Sequence, residues 1–423
     1  MKRRENVLAY LDWLSIWLYL LLLLVGLATI YAVNFDDGQY FFDGRLPHMR
    51  QLVWVAVSIL AAAVVMILDY KFFSAMAWPF YGFMIILLLV TFAIAPSING
   101  ARSWLVFGPV SLQPAEFAKI ATSLALARYL TSVDVNLSRL KSQLIAMALI
   151  ALPMALVIMQ RDIGTALVFT GFFLVLYREG FPATVPVIGF YVGLLFISTL
   201  LFGPVSVSLA ITAVLAFLTI FIIRNWKRLK IRFLEIILIY LLSFTFVNFG
   251  VNLLFYKALQ PHQQSRINVL LGREVERGAN YNVEQSKIAI GSGGVLGKGY
   301  LKGTLTKGDF VPEQGTDFIF SGIGEEFGFV GSSLFLLLFM AFLLRILRLA
   351  ERQRSRFTRI YAYGVASVLF LHYLVNVGMA IGLLPVIGIP LPFISYGGSS
   401  LLGFTVSLAI LLKLDAYRKL VLR

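Results

Sequence analysis

Three short strings place acids and cations where a helix begins or a loop turns. In NGARSWLVFGPVSLQPAEFAK (99–119), Pro114 sits where a helix would start, and Glu116 and Lys119 follow at i, i+3 on one face. A charged pair entering a membrane is costly unless it is paired or solvated. The pair therefore reads either as a site or as a helix-start acid with its counter-ion. Upstream, Arg102 and Trp104 have the character of interface anchors. In MQRDIGTA (159–166), Asp162 stands just before a helical run, as an N-cap or as a site carboxylate. In the stretch 268–320, Glu274 and Glu276 are acids among cationic groups. An acid so placed can take the proton of a sugar or alcohol hydroxyl, although loop acids are often simply solvated.

The same stretch contains GSGGVLGKG, which invites a nucleotide-loop reading. That pattern needs a glycine with four residues between it and Gly-Lys, and Ser or Thr after them. Position 292 is Ser and position 299 is Gly, so the reading fails. What remains is a set of expected exposed amides at Gly291, Gly293, Gly294, Gly297 and Gly299, with Lys287, Lys298, Lys302 and Lys307 nearby. Such a set suits a phosphate or pyrophosphate at the membrane surface, or contact with anionic lipid. Further on, Pro385, Pro390 and Pro392 with Gly388, Gly397 and Gly398 break a helix. Irregular backbone at membrane depth survives where it lines a cavity or is buried in protein. Glu325-Glu326 is a further intramembrane polar spot, functional or structurally paired.

The elements that position these residues are membrane helices. Of 423 residues, 59% are apolar and only 13% charged, with a mean hydropathy of +0.86. A soluble surface cannot be built from so few ionic groups, since soluble chains carry about 25%. A crossing needs roughly 20 apolar residues. Twelve are expected, near 13–33, 51–69, 76–95, 115–131, 143–159, 163–177, 185–203, 205–223, 233–253, 317–345, 360–382 and 399–414. The count becomes ten if 205–223 and a neighbour are re-entrant. The first stretch is too long for a cleaved signal and reads as an anchor.

The net charge of +15 comes from 36 basic and 21 acidic residues. Most of the basic ones fall on the side of Lys2, Arg3 and Arg4, including RNWKRLKIR (224–232) and RILRLAERQRSRFTR (345–359). The positive-inside rule then puts both termini in the cytoplasm and the segment 254–316, read as a large loop, outside. The charge is topological, so nucleic acid is not an expected partner. Zero cysteines exclude disulfides and thiolate metal sites, and His48, His262 and His372 are too far apart for an H-x-x-x-H pair.

The strings QPAEFAK, QSKIAIGSGGVLGKG, FVPEQGTDFIF…GEEFGFVG and GLLPVIGIPLPFISYGGSS, in this order over most of the chain, resemble the SEDS family (shape, elongation, division and sporulation). The QSKIAIGSGG…GKG…GT reading is closer to the RodA-like branch than to the FtsW-like one. The resemblance implies an all-α polytopic membrane protein, a single SEDS domain over 1–423 with an outer loop carrying the active site. The family core has ten helices, so 185–253 would hold an additional hairpin. It also implies an inverting peptidoglycan glycosyltransferase of the bacterial cytoplasmic membrane, using an undecaprenyl-diphosphate-linked donor. Lipid II would be polymerised on the outer face for elongation and rod shape. Expected partners are a class B penicillin-binding protein, other membrane proteins of the elongation complex, and membrane lipids. No tightly bound cofactor is implied, with a divalent Mg or Mn ion one way to stabilise the leaving pyrophosphate.

The family's aspartate stands in a D-P-x-G-x-G-Y pattern. Here the stretch reads V-E-R-G-A-N-Y, one residue shorter, which makes Glu276 the nearest equivalent and Glu274 the alternate. Glu116 and Lys119 match the Q-P-x-E-x-A-K pair, and Asp162 matches the aspartate of Q-P-D-L-G-T with Arg161 in place of proline. Arg102, Glu116, Lys119, Asp162, Lys287, Lys298, Ser395 and Gly397 are the substrate-binding or site-supporting candidates. Two other classes of function stay open: a lipid II flippase or transporter, and a non-catalytic scaffold of the elongation complex.

Overall fold

Runs of leucine, isoleucine, valine and phenylalanine satisfy their backbone polar groups internally only as helices when lipid surrounds them. The computed structural model has a helical segment over each of the twelve predicted crossings. It describes residues 10–35, 43–44, 46–98, 100–108, 110–224, 233–259, 261–271, 281–307 and 310–418. Among these, nine helices are long and apolar enough to cross a membrane, with shorter apolar helices at Ile163–Arg178 and Pro204–Phe217. The chain is a multi-pass α-helical membrane protein.

The chain divides into two compact units, Met1–Phe181 with Asn282–Arg423, and Pro182–Tyr281. The first contains α1 (Trp13–Val33), α2 (Pro47–Ile67), α3 (Tyr70–Ala75), α4 (Ala77–Ile94), α5 (Pro114–Leu130), α6 (Leu140–Met159), α7 (Ile163–Phe169) and α8 (Phe172–Arg178). A two-stranded hairpin, Leu105–Phe107 with Val110–Leu112, leads into α5 and pairs Leu105 with Leu112. The second unit holds α9 (Thr184–Phe202), α10 (Pro204–Arg224), α11 (Phe233–Thr245), which continues through π-helical turns to Ala258, and α12 (Pro261–Leu270). The expected 185–253 hairpin falls within it. Leu195, Val207 and Val247 form one of its apolar clusters, and the Asn248 amide donates to Ser208 Oγ at 2.9 Å.

The first unit resumes with α13 (Tyr281–Ser292), then α14 (Ile319–Glu351), α15 (Arg356–Ala380) and α16 (Gly398–Tyr417). Its core is continuous, with α16 packed on α2, α5 on α4 and α15, and α14 on α1 and α15. The described parts of 254–316, read from the sequence as a large loop, include the helices α12 and α13. The signal for α13 was faint for a physical reason: its buried face consists of only Val283, Ser286 and Ala289. Too few apolar positions stand in register to show a 3.6-residue period.

Candidate active site at the loop end of the bundle

Helix direction brings the starts of α2, α5, α7, α14 and α16 to the end of the first unit opposite the amino terminus. Pro114 opens α5 at its first position, where the missing N–H is no loss, and so fixes where Gln113 sits. Gln113 is a hub. Its backbone N–H donates to Ser399 Oγ at 3.2 Å, and its side-chain amide donates to Asp162 Oδ2 at 2.6 Å and Thr165 Oγ1 at 3.2 Å. Asp162 caps α7 by accepting from the Thr165 N–H at 3.1 Å. The N-cap and the site readings of Asp162 are thus compatible, since one oxygen serves each.

One turn deeper, Lys119 donates to Glu116 Oε1 at 2.8 Å and to His372 Nε2 on α15 at 2.8 Å. All three side chains are buried. His372 Nδ1 lies 3.0 Å from the Pro390 carbonyl, which can only accept. That bond places the ring proton on Nδ1 and leaves Nε2 to receive the Lys119 ammonium. The Phe404 ring covers the set, 5.1 Å from Lys119 Nζ and 4.8 Å from the His372 ring. Glu116 Oε2 has no hydrogen-bond partner among the described residues.

The broken segment 381–397 closes this end. Ser395 Oγ accepts from the Leu391 N–H at 2.8 Å and donates to the Thr316 carbonyl at 2.5 Å. The Gly397 N–H donates to Gln51 Oε1 at 3.1 Å, and Gln51 Nε2 donates to the Ser395 carbonyl at 3.3 Å. The Asn376 amide bridges the Asp317 and Ile389 carbonyls at 2.9 and 2.8 Å. From Ile389 to Ser395 the irregular backbone is largely buried and side chains bond it, as its depth requires, while 381–388 is exposed or half-buried. In this arrangement Ser395 and Gly397 support the site rather than face its mouth.

The glycine-lysine loop differs from expectation. Gly293, Gly294, Gly297 and Gly299 donate their N–H groups to the carbonyls of Ile290, Gly291, Gly293 and Glu326, and Lys298 donates to the Glu325 carbonyl. The Lys298 and Gly299 amides hold the loop on α14, the other three close it on itself, and all five are engaged rather than free for a phosphate. Gly297 (φ 83°) and Gly328 (φ 63°) make the docking possible, because a Cβ on either would run into the other strand's backbone. Lys298 Nζ is held by Glu325 Oε1 at 2.6 Å and Thr304 Oγ1 at 2.7 Å. Glu325 also accepts from the N–H groups of Thr304, Leu305 and Thr306 at 2.8, 2.9 and 2.9 Å. Lys298 is thus committed to a structural clasp, since its charge neutralises a fully buried carboxylate. The intramembrane acid Glu325 is saturated in the same way.

Glu116, Lys119 and Asp162 come together as a group. Arg102 joins their edge, where its backbone N–H donates to the Gln160 carbonyl at 2.9 Å while its side chain is exposed. Lys287 is exposed on α13, its stem against Gly382. Glu274 and Glu276 lie outside the described residues. Gln113, His372, Gln51 and Asn376 were not singled out from the sequence. An ionisable residue inside an apolar run was the signal for His372, and its spacing from the other histidines drew attention only to metals. Among the described residues no three histidine or carboxylate side chains come together as a group that could hold a metal ion.

The family model FTSW_RODA_SPOVE, described as a cell cycle protein, matches residues 12–231 and 208–420. The chain is 32% identical over 427 residues to the peptidoglycan glycosyltransferase RodA of Treponema pallidum, covering 96% of this chain and 97% of the relative. It is 33% identical over 372 residues to the peptidoglycan glycosyltransferase MrdB of Escherichia coli, covering 88% and 86%. Among solved structures, a chain from "Structural coordination of polymerization and crosslinking by a peptidoglycan synthase complex" is similar with a TM-score of 0.72 at 25% identity, covering 96% and 98%. The rod shape determining protein RodA of Thermus thermophilus is similar with a TM-score of 0.62 at 25% identity, covering 96% and 97%.

Proposed function

The chain belongs to the FtsW, RodA and SpoVE family of cell cycle proteins, and from that premise we infer that it is a peptidoglycan glycosyltransferase. It polymerises lipid II into glycan strands for cell elongation and rod shape, with the loop end of the bundle facing outwards and a class B penicillin-binding protein as its partner. The observation that carries the site assignment is the convergence of Gln113, Asp162, Glu116, Lys119 and His372 from three segments at that end.

The reaction is an inverting transfer. The 4-hydroxyl of the acceptor N-acetylglucosamine attacks the anomeric carbon of the donor N-acetylmuramic acid. The bond from that carbon to the pyrophosphate oxygen breaks, and undecaprenyl pyrophosphate leaves with the bonding electron pair. Glu276 takes the hydroxyl proton, with Glu274 as the alternate. A positioned base supplies about 10²–10⁴-fold, so orientation and leaving-group stabilisation carry the remainder. Asp162 and Gln113 present an acceptor-rich mouth that suits sugar hydroxyls, while Arg102 and Lys287 are the exposed cations for the pyrophosphate. Buried Glu116, Lys119 and His372 hold α5, α15 and the Pro390 segment in register, and no step here is routed through a metal. A transport reading would draw on Glu325 and Glu326 as intramembrane polar residues, and Glu326 accepts only from the Leu301 N–H at 3.1 Å among the described residues, but Glu325 is fully engaged. Its bonds to Lys298 and the 304–306 amides disfavour that role.

The test is polymerisation of labelled lipid II by the purified protein, with and without its class B partner, beside Glu276→Gln. Strands from the wild type and none from the variant support both the activity and the base. Equal polymer from the variant removes Glu276 and directs attention to Glu274 or Asp162. A wild type that yields no polymer with a verified partner returns the weight to transport or scaffolding.

A further inference from the structure

At the opposite end of the first unit, a cavity of about 490 Å³ opens between α3, the end of α5, the start of α15 and the end of α16. Among the described residues, four cations line it, Lys71, Arg128, Arg354 and Arg418, and no carboxylate does. Arg418 is engaged by Asp415 at 2.5 Å. The side chains of Lys71, Arg128 and Arg354 are exposed and make no ion pair among the described residues. Of the acids nearest these cations in the chain, Asp134 is exposed and makes no ion pair among the described residues, and the others have partners. Asp69 caps α3 through the Lys71 N–H at 2.8 Å, Glu351 binds Arg178 and Tyr363, and Asp415 binds Arg352, Gln353 and Arg418.

Three uncompensated cations around one concave space repel each other unless an anion sits between them. We propose that this cavity binds the phosphate of an anionic phospholipid headgroup, on the side of the bundle opposite the candidate active site. Two features favour a lipid over a soluble phosphate. Phe357 and Leu414 line the same space, giving an apolar surface for the glycerol and first acyl carbons. The site also lies where helices end, the depth at which a bilayer places its phosphates, and basic pockets there are suited to lipid headgroups. The Tyr70 and Tyr417 rings stack at 4.6 Å beside it, and aromatic rings of this kind sit at the headgroup level.

The test is native mass spectrometry of the full chain in detergent with defined lipids. The wild type is expected to retain phosphatidylglycerol at least 10-fold more than phosphatidylcholine. A triple Lys71→Gln, Arg128→Gln, Arg354→Gln variant should lose about 10²-fold in relative retention, taking roughly fivefold per cation. Arg139→Gln with Lys141→Gln removes two exposed charges from the same end but outside the cavity, and should leave retention unchanged. Equal losses in both variants would mean diffuse surface charge and overturn the proposal. So would equal retention of the two lipids by the wild type, an arm that does not depend on any variant folding. Displacement of phosphatidylglycerol by equimolar inorganic phosphate or glycerol 3-phosphate would also overturn the lipid assignment, in favour of a soluble phosphate ligand.

Discussion

Two clusters of buried charge, one at each end of the first unit, are bonded in opposite ways. At the amino-terminal end, Asp12 accepts from Ser15, Arg345 and Arg352, and Asp415 accepts from Arg352, Gln353 and Arg418. Each carboxylate there has several donors, and Arg352 joins the start of α1 to the end of α16. At the loop end, Glu116 has one donor for two oxygens among the described residues, and that donor, Lys119, is shared with His372. A saturated network holds helices together. An unsaturated one beside a mouth keeps bonding capacity in reserve, and a buried unpaired oxygen is retained at a cost in stability of about 1–3 kcal/mol. Both clusters hold helices together, but the Glu116 cluster does so with an open bonding position beside the candidate mouth.

Removing Lys119 should break the comparison most severely. Lys119→Met leaves Glu116 buried without a cation, and is expected to cost about 3–5 kcal/mol and to abolish polymerisation. Thermal melting in detergent alongside the lipid II assay reads both, and a stable, active variant would mean that the cluster is dispensable. Next, Gly297→Ala introduces a Cβ against the Glu326 backbone at a positive φ, with an expected loss of about 1–3 kcal/mol. Limited proteolysis within 293–307 should then accelerate; unchanged protection would show the clasp to be incidental.

Asp12→Asn probes the saturated end, with a smaller expected loss of about 1–2 kcal/mol and normal activity per folded molecule. Burial alone would raise the Asp12 carboxyl, but hydrogen bonds from Arg345 and Ser15 outweigh it and hold the group well below the usual carboxylate range. Its contribution is therefore complete above the unfolded carboxylate value near 4 and declines as pH falls toward the lower folded value. Melts between pH 7 and pH 3 should narrow the gap between wild type and variant at the acid end, and a constant gap would contradict this. The smallest stability effect is expected for Asp162→Ala, about 1 kcal/mol from the lost cap. Polymerisation should nevertheless fall by on the order of 10²-fold, because the Gln113 mouth loses its carboxylate. Unchanged activity would reduce Asp162 to a cap.

The helical crossings were legible because lipid forces a long apolar run to be a helix, and Pro114, Asp162 and the helix-breaking prolines marked where elements start. The role of Lys298 was not legible. A lysine among glycines looks like a phosphate cradle until the loop is seen folded onto α14, where the same amides are used up. The partnership of Gln113 with Asp162 spans 49 residues, and that of Lys119 with His372 spans 253.

The amino-acid sequence by itself determined a polytopic helical membrane protein and the charged pair at the start of α5, because hydropathy and helix-start chemistry are local. Its long motifs likewise carried the family resemblance. Tertiary structure alone decided which carboxylates are saturated and which keep a free oxygen, that His372 completes the Glu116–Lys119 set, and that three cations share one cavity. Those properties depend on the distance between side chains from different helices, and no local pattern encodes that distance.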